Sequence, residues 1–311
     1  MGFFWFLLTA PPGGIFQSEN SIRKVANGLH WIIILLGLLL GGGVLRGFLR
    51  RREHILCSSA FFEELAADIA HAIEADNFYL VFQPIVEIHS NQIIGAEVLS
   101  RLKHPRYGVV KPDQFLEALS RAGLQDRFDY YIFEKTCAWF AKNYGMGKKL
   151  KFLSCNFCRQ TLSAEDFADR ITRIANRYAI PPGCMAIEIT EQKQEKDTEQ
   201  VRRNLEQLQK RGFQVFLDDF GSGVTSLWDF QHYRVDMVKI DRSMLNQTEN
   251  KRGAAIFRGL VAIAEELDAR VLCEGVETCL EHSFAQSSGC HYGQGYYFYS
   301  PMSAVDFGRM L

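Results

Sequence analysis

Apolar residues follow two alternating patterns along this chain from residue 78 onward. Short apolar runs rich in β-branched and aromatic residues are typical of buried strands, and stretches in which apolar residues return every three or four positions are typical of amphipathic helices. The short runs predict eight strands, at residues 78–88, 92–102, 150–157, 185–191, 213–220, 235–241, 270–277 and 292–299.

Most of the gaps between these strands hold helical patterns, at residues 112–122, 128–144, 164–178, 198–211, 253–267 and 280–286. The first two strands are instead joined by a tight turn at Ser90 and Asn91, which predicts an antiparallel hairpin. The whole pattern predicts the α/β class and a TIM-like (β/α)8 barrel with an irregular antiparallel first strand. A doubly wound α/β sheet is the alternative, but the chain has no Gly-rich dinucleotide fingerprint to support it.

The segment before the barrel has a different pattern. Residues 31–45 are all apolar or Gly, and Arg46 and Arg50 to Arg52 follow them. This run predicts a transmembrane helix at 31–49 if Arg46 extends its charge toward the interface, and the arginine cluster places the rest of the chain in the cytoplasm. The alternative is a buried core helix, but such a helix would normally carry a polar stripe, which this run lacks. The predicted layout is a short N-terminal segment (1–30), the transmembrane helix (31–49), a basic juxtamembrane linker (50–64) and the barrel (65–311), with an amphipathic helix across 53–77.

Composition excludes some classes of function. The 311 residues are 47% hydrophobic and 23% charged with a formal net charge of −1, which is ordinary for a globular protein and gives no sign of binding to a nucleic-acid polymer. The eight cysteines are scattered, and the lone C-x-x-C of Cys155 and Cys158 has no second pair to complete a zinc site.

Polar residues recur near the C-terminal ends of the predicted strands, on the face that alternation assigns to the barrel interior. One such residue would be unremarkable, but seven occur on six strands: Glu97, Asn156, Glu188, Asp218, Asp219, Lys239 and Glu274. Carboxylate and amide oxygens are ligands for hard cations such as Mg²⁺ or Mn²⁺. The adjacent Asp218 and Asp219 repel each other unless a cation lies nearby. We therefore predict a two-metal phosphodiester hydrolase, in which Lys239 orients a bridging water or offsets charge on the phosphorane.

Seven sequence motifs resemble, in order, those of EAL domains, which are bacterial phosphodiesterases that open cyclic di-GMP to linear pGpG. They are FQPIV (from Phe82), AEVLSRL (from Ala96), EITE (from Glu188), LDDFGSG (from Leu217), VKIDRS (from Val238), CEGVET (from Cys273) and GQGYYFYSP (from Gly293). The resemblance implies cyclic di-GMP as substrate, two Mg²⁺ or Mn²⁺ ions, a homodimer, and, with the predicted helix, a single-pass protein of the bacterial inner membrane.

The resemblance also implies roles for single residues. Glu97, Asn156, Glu188 and Asp218 correspond to ligands of one metal ion. Asp219 corresponds to a ligand of the second ion and, with Lys239, holds the nucleophilic water, while Glu274 is a general-base or water-positioning candidate. Gln83, Arg101 and Gln294 correspond to substrate contacts. Glu191 corresponds to a glutamate that fixes a loop of the site, and Glu277 to a further member of the site.

The chain departs from the family pattern at three places, one of which is the segment Ser-Cys-Asn-Phe-Cys around Asn156, where the amide is kept. Glu97-Val98-Leu99 stands where the family has Glu-Ala-Leu, and Val224-Thr225 stands where Tyr-Ser is common. Val98 should point outward toward the helices, so its extra methyl groups should affect packing and not metal binding. A domain that binds cyclic di-GMP or a protein partner without hydrolysis is the alternative.

Overall fold

The computed structural model describes residues 59–143, 150–189, 198–221 and 227–311, and Phe62–Leu311 forms one compact unit. The strands are β1 (Phe78–Glu87), β2 (Ile93–His104), β3 (Gly108–Val110), β4 (Phe152–Phe157), β5 (Met185–Ile189), β6 (Gln214–Phe220), β7 (Met237–Ile240), β8 (Arg270–Cys273), β9 (Tyr292–Gly293) and β10 (Met302–Ser303). The helices are α1 (Ser59–Glu74), α2 (Pro112–Ala122), α3 (Gln125–Asn143), α4 (Arg159–Leu162), α5 (Phe167–Arg177), α6 (Thr198–Lys210), α7 (Leu227–His232), α8 (Arg242–Asn246), α9 (Lys251–Glu266), α10 (Cys279–Ser287) and α11 (Ala304–Met310).

Eight of these strands close into a barrel in the order β1-β2-β4-β5-β6-β7-β8-β9, with β9 pairing back to β1. The strand β1 is antiparallel to both of its barrel neighbours, whereas all pairs from β2 to β9 are parallel. The short strands β3 and β10 extend β2 and β1 outside the ring. The predicted barrel and its irregular first strand are therefore confirmed.

An apolar layer fills one level of the barrel interior, and almost every strand contributes one residue to it. Its members are Ile85, Ile94, Phe152, Ala186, Phe216, Met237 and Leu272, with Tyr292 packed against them. Because side chains alternate across a strand, the residue two positions later points to the same interior. Those positions after Ala186, Phe216, Met237 and Leu272 are the polar residues of the predicted site, so the apolar layer forms its floor.

Several predicted boundaries are wrong where the backbone turns sharply. The strand predicted at 270–277 ends at Cys273, and the strand predicted at 292–299 ends at Gly293. Just beyond these ends, Gly275 and Gly295 have φ values of +64° and +153°, so the chain leaves the sheet there. The helix predicted across 53–77 occupies Ser59–Glu74 in the described part of the chain.

The predicted membrane location requires correction. Within residues 59–143, 150–189, 198–221 and 227–311, no helix is long and apolar enough to cross a bilayer. The run at 31–49 on which the prediction rested lies outside the described residues. The expectation of a single-pass inner-membrane protein is therefore withdrawn.

Candidate active site

A single buried ammonium group occupies the centre of the site. Lys239, in β7, is 1% exposed, and its Nζ lies 3.1 Å from Oε2 of Glu97 and 3.1 Å from Oε2 of Glu188. The same Nζ lies 2.9 Å from Oδ1 of Asp218 and 2.9 Å from Oε1 of Glu274. Three strands of the barrel and the residue that directly follows β8 thus direct carboxylates at one lysine, and five of the seven residues predicted from the strand pattern meet at one point.

Glu97 is held by two amides in addition to the lysine. Asn156 donates from Nδ2 to Oε1 of Glu97 at 2.9 Å, and Gln294 donates from Nε2 to Oε2 at 2.9 Å. The other oxygens of these amides, Oδ1 of Asn156 and Oε1 of Gln294, are buried without a hydrogen-bond partner, and so is Oε1 of Glu188. Buried acceptors without partners are costly and uncommon. Their oxygen chemistry fits a hard cation at this end of the barrel.

A β-bulge places the two adjacent aspartates. Leu217 and Phe220 of β6 pair with Val238 and Ile240 of β7, so β6 carries one residue more than its partner across this interval. Asp219, inside the bulge, has a φ of +55°, a left-handed conformation that is uncommon for residues other than glycine. The bulge interrupts the alternation that would send neighbouring side chains to opposite faces. One carboxylate oxygen each from Asp218, Asp219 and Glu274 lie within 4.8 Å of one another.

The electrostatics of the site reflect one positive charge among five carboxylates. Burial raises the pKa of Glu188 to about 8 and, with the charges of Asp218 and Asp241, raises the pKa of Asp219 to about 6. Burial also raises the pKa values of Asp218 and Glu274. Glu97 differs, because Lys239, Gln294 and Asn156 outweigh the effect of burial and lower its pKa. A second source of positive charge would favour the ionised form of every raised carboxylate.

A cavity of about 250 Å³ opens at Glu97 and Glu274, and Gln83, Gln294 and Tyr296 are among the residues that line it. Two further lining residues form an ion pair, in which Nη2 of Arg242 lies 2.6 Å from Oε2 of Glu277. Arg242 was not among the residues predicted for the site. Arg242 follows Asp241 in the VKIDRS motif, and this position in a motif of the family was the feature of the sequence that could have identified it as a site residue.

The other predicted residues are dispersed. Gln83 lies directly opposite Glu97 across the β1–β2 pair. Arg101 lies four residues further along β2, which is about 13 Å along an extended strand. Its side chain donates to the carbonyl of Ser100 and forms no ion pair with any described residue. Glu191 and the loop positions Val224 and Thr225 lie outside the described residues, and their roles stay predictions.

The fold and the site together define a class of protein. It is a closed barrel whose strands direct oxygen ligands and one lysine to a single point, in the region where barrel enzymes bind their substrates.

Comparison with known families agrees with this class. The family profile described as EAL domain matches residues 66–301, so the chain belongs to the EAL domain family.

Named relatives have modest identity. The cyclic di-GMP phosphodiesterase RocR of Pseudomonas aeruginosa is 29% identical over 78% of this chain and 62% of its own length. The probable cyclic di-GMP phosphodiesterase PdeI of Escherichia coli K12 is 30% identical over 80% of this chain and 33% of its own length. The match with the cyclic di-GMP phosphodiesterase NbdA of Pseudomonas aeruginosa spans 31% of that protein. The chain therefore matches less than two thirds of these relatives.

A solved structure extends the comparison to geometry. The PaMucR phosphodiesterase in complex with c-di-GMP superposes with a TM-score of 0.72 at 28% identity, covering 78% of this chain and 99% of that chain. The likeness covers the whole solved domain, so the barrel is the part that the two proteins share.

Proposed function

We propose that this protein hydrolyses cyclic di-GMP to linear pGpG in a reaction that requires Mg²⁺ or Mn²⁺. The observation that carries the proposal is the convergence of Glu97, Glu188, Asp218 and Glu274 on Lys239, at the end of an EAL-type barrel. The names of the relatives and the cyclic di-GMP in the PaMucR complex support the choice of substrate.

The oxygen donors divide between two metal positions in this proposal. Glu97, Asn156, Glu188 and Asp218 hold the first ion, and the unpartnered oxygens of Asn156 and Glu188 support that assignment. Asp219 would hold the second ion, and the proximity of its carboxylate to those of Asp218 and Glu274 supports that assignment. When bound, the ions polarise the phosphodiester and lower the pKa of a coordinated water.

The protein side chains supply orientation and proton control. Lys239 offsets the carboxylate charge, and its Nζ, within 3.1 Å of four carboxylate oxygens, supports its assignment to the orientation of the attacking water. Glu274, at the rim of the cavity, accepts a proton from that water or positions it. Gln294 is 2% exposed and holds Glu97, so we assign it to the orientation of this ligand as well as to the predicted substrate contact.

Arg101 and Gln83 bind the substrate in this proposal. Arg101 has no carboxylate partner in the described part of the chain, so its guanidinium is available to a phosphate oxygen in a bidentate arrangement. Gln83 lines the cavity opposite Glu97, and this position supports its assignment as a contact to the substrate.

A turnover assay tests the proposal. The purified chain should convert cyclic di-GMP to pGpG with Mg²⁺ or Mn²⁺, detected by anion-exchange chromatography and mass spectrometry, and Glu97→Gln should remove this activity. No turnover with any divalent ion would contradict the proposal. Tight binding of cyclic di-GMP that persists in EDTA without product would instead favour a binding domain.

A further inference from the structure

A second cavity, of about 420 Å³, lies between α3, α5 and the end of α1, and it shares no residue with the candidate active site. Four arginines line it: Arg127, Arg170, Arg173 and Arg177. Two glutamates, Glu74 and Glu134, are the carboxylates of the lining. The cavity thus carries an excess of positive charge in a chain whose formal net charge is −1.

The spacing of these residues explains why they face one another. Arg170, Arg173 and Arg177 recur at intervals of three and four along α5, so they share one face of that helix. Arg127 and Glu134 are seven residues apart on α3 and therefore share a face as well. The two helices bring four guanidinium groups to one concave surface.

Half of the arginines have carboxylate partners and half do not. Arg127 lies 3.1 Å from Oε1 of Glu74, and Arg177 forms an ion pair with Glu134. Arg170 and Arg173 form no ion pair with any carboxylate in the described part of the chain. Two guanidinium charges three residues apart repel each other, and an anion between them would relieve that repulsion.

Tyr130 supplies an independent observation. It lines the cavity and is 4% exposed, yet its hydroxyl has no hydrogen-bond partner among the described residues. The guanidinium carbon of Arg170 lies 3.6 Å from the centroid of its ring, which fixes the charge against the aromatic face. A buried hydroxyl without a partner is costly, and an acceptor oxygen of a ligand would satisfy it.

We propose that this cavity binds a phosphate monoester with an organic group of the size of a mononucleotide. Arg170 and Arg173 bind the phosphate oxygens, and Tyr130 donates a hydrogen bond to the same group. Ile73, Ile174 and the ring of Tyr131 provide apolar wall for the organic part. A volume of about 420 Å³ exceeds the need of a phosphate ion and falls within the usual range of small-molecule pockets.

Binding measurements with adenosine monophosphate, adenosine and inorganic phosphate test this proposal on the full chain. Isothermal titration should give adenosine monophosphate a Kd below about 1 mM, with adenosine at least about tenfold weaker because it lacks the phosphate. Equal affinity for inorganic phosphate and the nucleotide would overturn the assignment of the organic part. No binding of the nucleotide at millimolar concentration would overturn the whole site.

Variants locate the site. Arg170→Gln together with Arg173→Gln should weaken nucleotide binding at least about tenfold, since charge-assisted bonds to phosphate are lost. Arg203→Gln on α6, which removes an arginine paired with Glu199 away from the cavity, and Glu97→Gln in the candidate active site should leave this affinity unchanged. Loss of binding in Glu97→Gln but not in the double variant would place the nucleotide in the active site and overturn the proposal.

The Tyr130→Phe variant separates binding from folding. Removal of an unpartnered buried hydroxyl should leave the thermal midpoint of the free protein equal or higher. The same variant should weaken nucleotide binding at least about threefold. Unchanged affinity in Tyr130→Phe would exclude the hydroxyl as a ligand donor and contradict the proposed geometry.

Discussion

Asp218 and Asp219 are neighbours in sequence, yet the bulge in β6 brings their carboxylates within 4.8 Å of each other and of Glu274. A regular strand would turn one of them away from the barrel interior. The bulge, in which Asp219 takes a positive φ, therefore brings both carboxylates to the same end of the barrel.

The substitution Asp219→Asn tests the proposed metal-binding role of Asp219. Asparagine tolerates a positive φ, so the fold should be retained, while loss of the carboxylate should lower turnover of cyclic di-GMP at least about 100-fold. Initial rates at several Mn²⁺ concentrations would measure the effect. Wild-type turnover in Asp219→Asn would show that no metal depends on this carboxylate. Circular dichroism serves as the folding control.

Removal of the central ammonium should destabilise the metal-free protein. In Lys239→Met, four carboxylates lose the cation that lies within 3.1 Å of each of them. Breaking a buried ion pair from one side costs about 3–5 kcal/mol in the free energy of unfolding. Urea unfolding in EDTA measures the loss, with Lys210→Met on the surface of α6 as the matched control. Equal losses in the two variants would refute the central role of Lys239.

The valine in the signature should contribute to packing and not to catalysis. Val98 is 3% exposed and lines a cavity together with Phe128 and Ile132 of α3. Val98→Ala should lower the free energy of unfolding by about 1–3 kcal/mol, because buried methyl groups are lost. Turnover should stay within about twofold of wild type, since Glu97 keeps its position. A large rise in turnover would show that Val98 restrains the site.

Asp129 should make the unfolding free energy depend on pH. It is 5% exposed, and burial raises its pKa to about 6, above the usual value of 3.8. The folded state therefore binds the proton on Asp129 more tightly than the unfolded state does. The stabilisation that results from this proton is complete below about pH 3.8 and is lost as pH rises through 6. Urea unfolding of wild type and Asp129→Asn at pH 5 and pH 7.5 should show a difference in pH dependence of about 1.4 kcal/mol, roughly half of the full effect of about 3 kcal/mol. Identical pH dependence in the two proteins would contradict the raised pKa.

Gly295 should be required for the placement of Gln294. A Cβ at this position would lie 2.2 Å from the carbonyl oxygen of Val276, and the φ of +153° is rare for L-residues. Gly295→Ala should therefore cost about 2 kcal/mol or more in the free energy of unfolding and lower turnover. Gly259→Ala on the exposed face of α9 meets no atom within 4 Å and should instead stabilise the protein slightly. Thermal unfolding of both variants tests the contrast, and equal midpoints would contradict it.

The alternation of polar and apolar residues was enough to predict much of this architecture. In each strand that carries Glu188, Asp218 or Lys239, side chains alternate between the two faces of the sheet. That local alternation determines which side chains face the interior, whichever strands lie next to it. The chemical type of those residues was visible too, because buried carboxylates on several strands have few explanations other than a bound cation.

The tertiary structure decided the features that depend on which strands meet. The sequence places Lys239 far along the chain from Glu97, and only closure of the barrel brings Nζ of one to 3.1 Å from Oε2 of the other. The bulge at Asp219 and the strand end at Cys273 depend on pairing with β7 and β9, which no local pattern contains. The arginine-lined cavity also depends on tertiary structure, because the packing of α3 against α5 brings arginines from two separate helices into one concave surface.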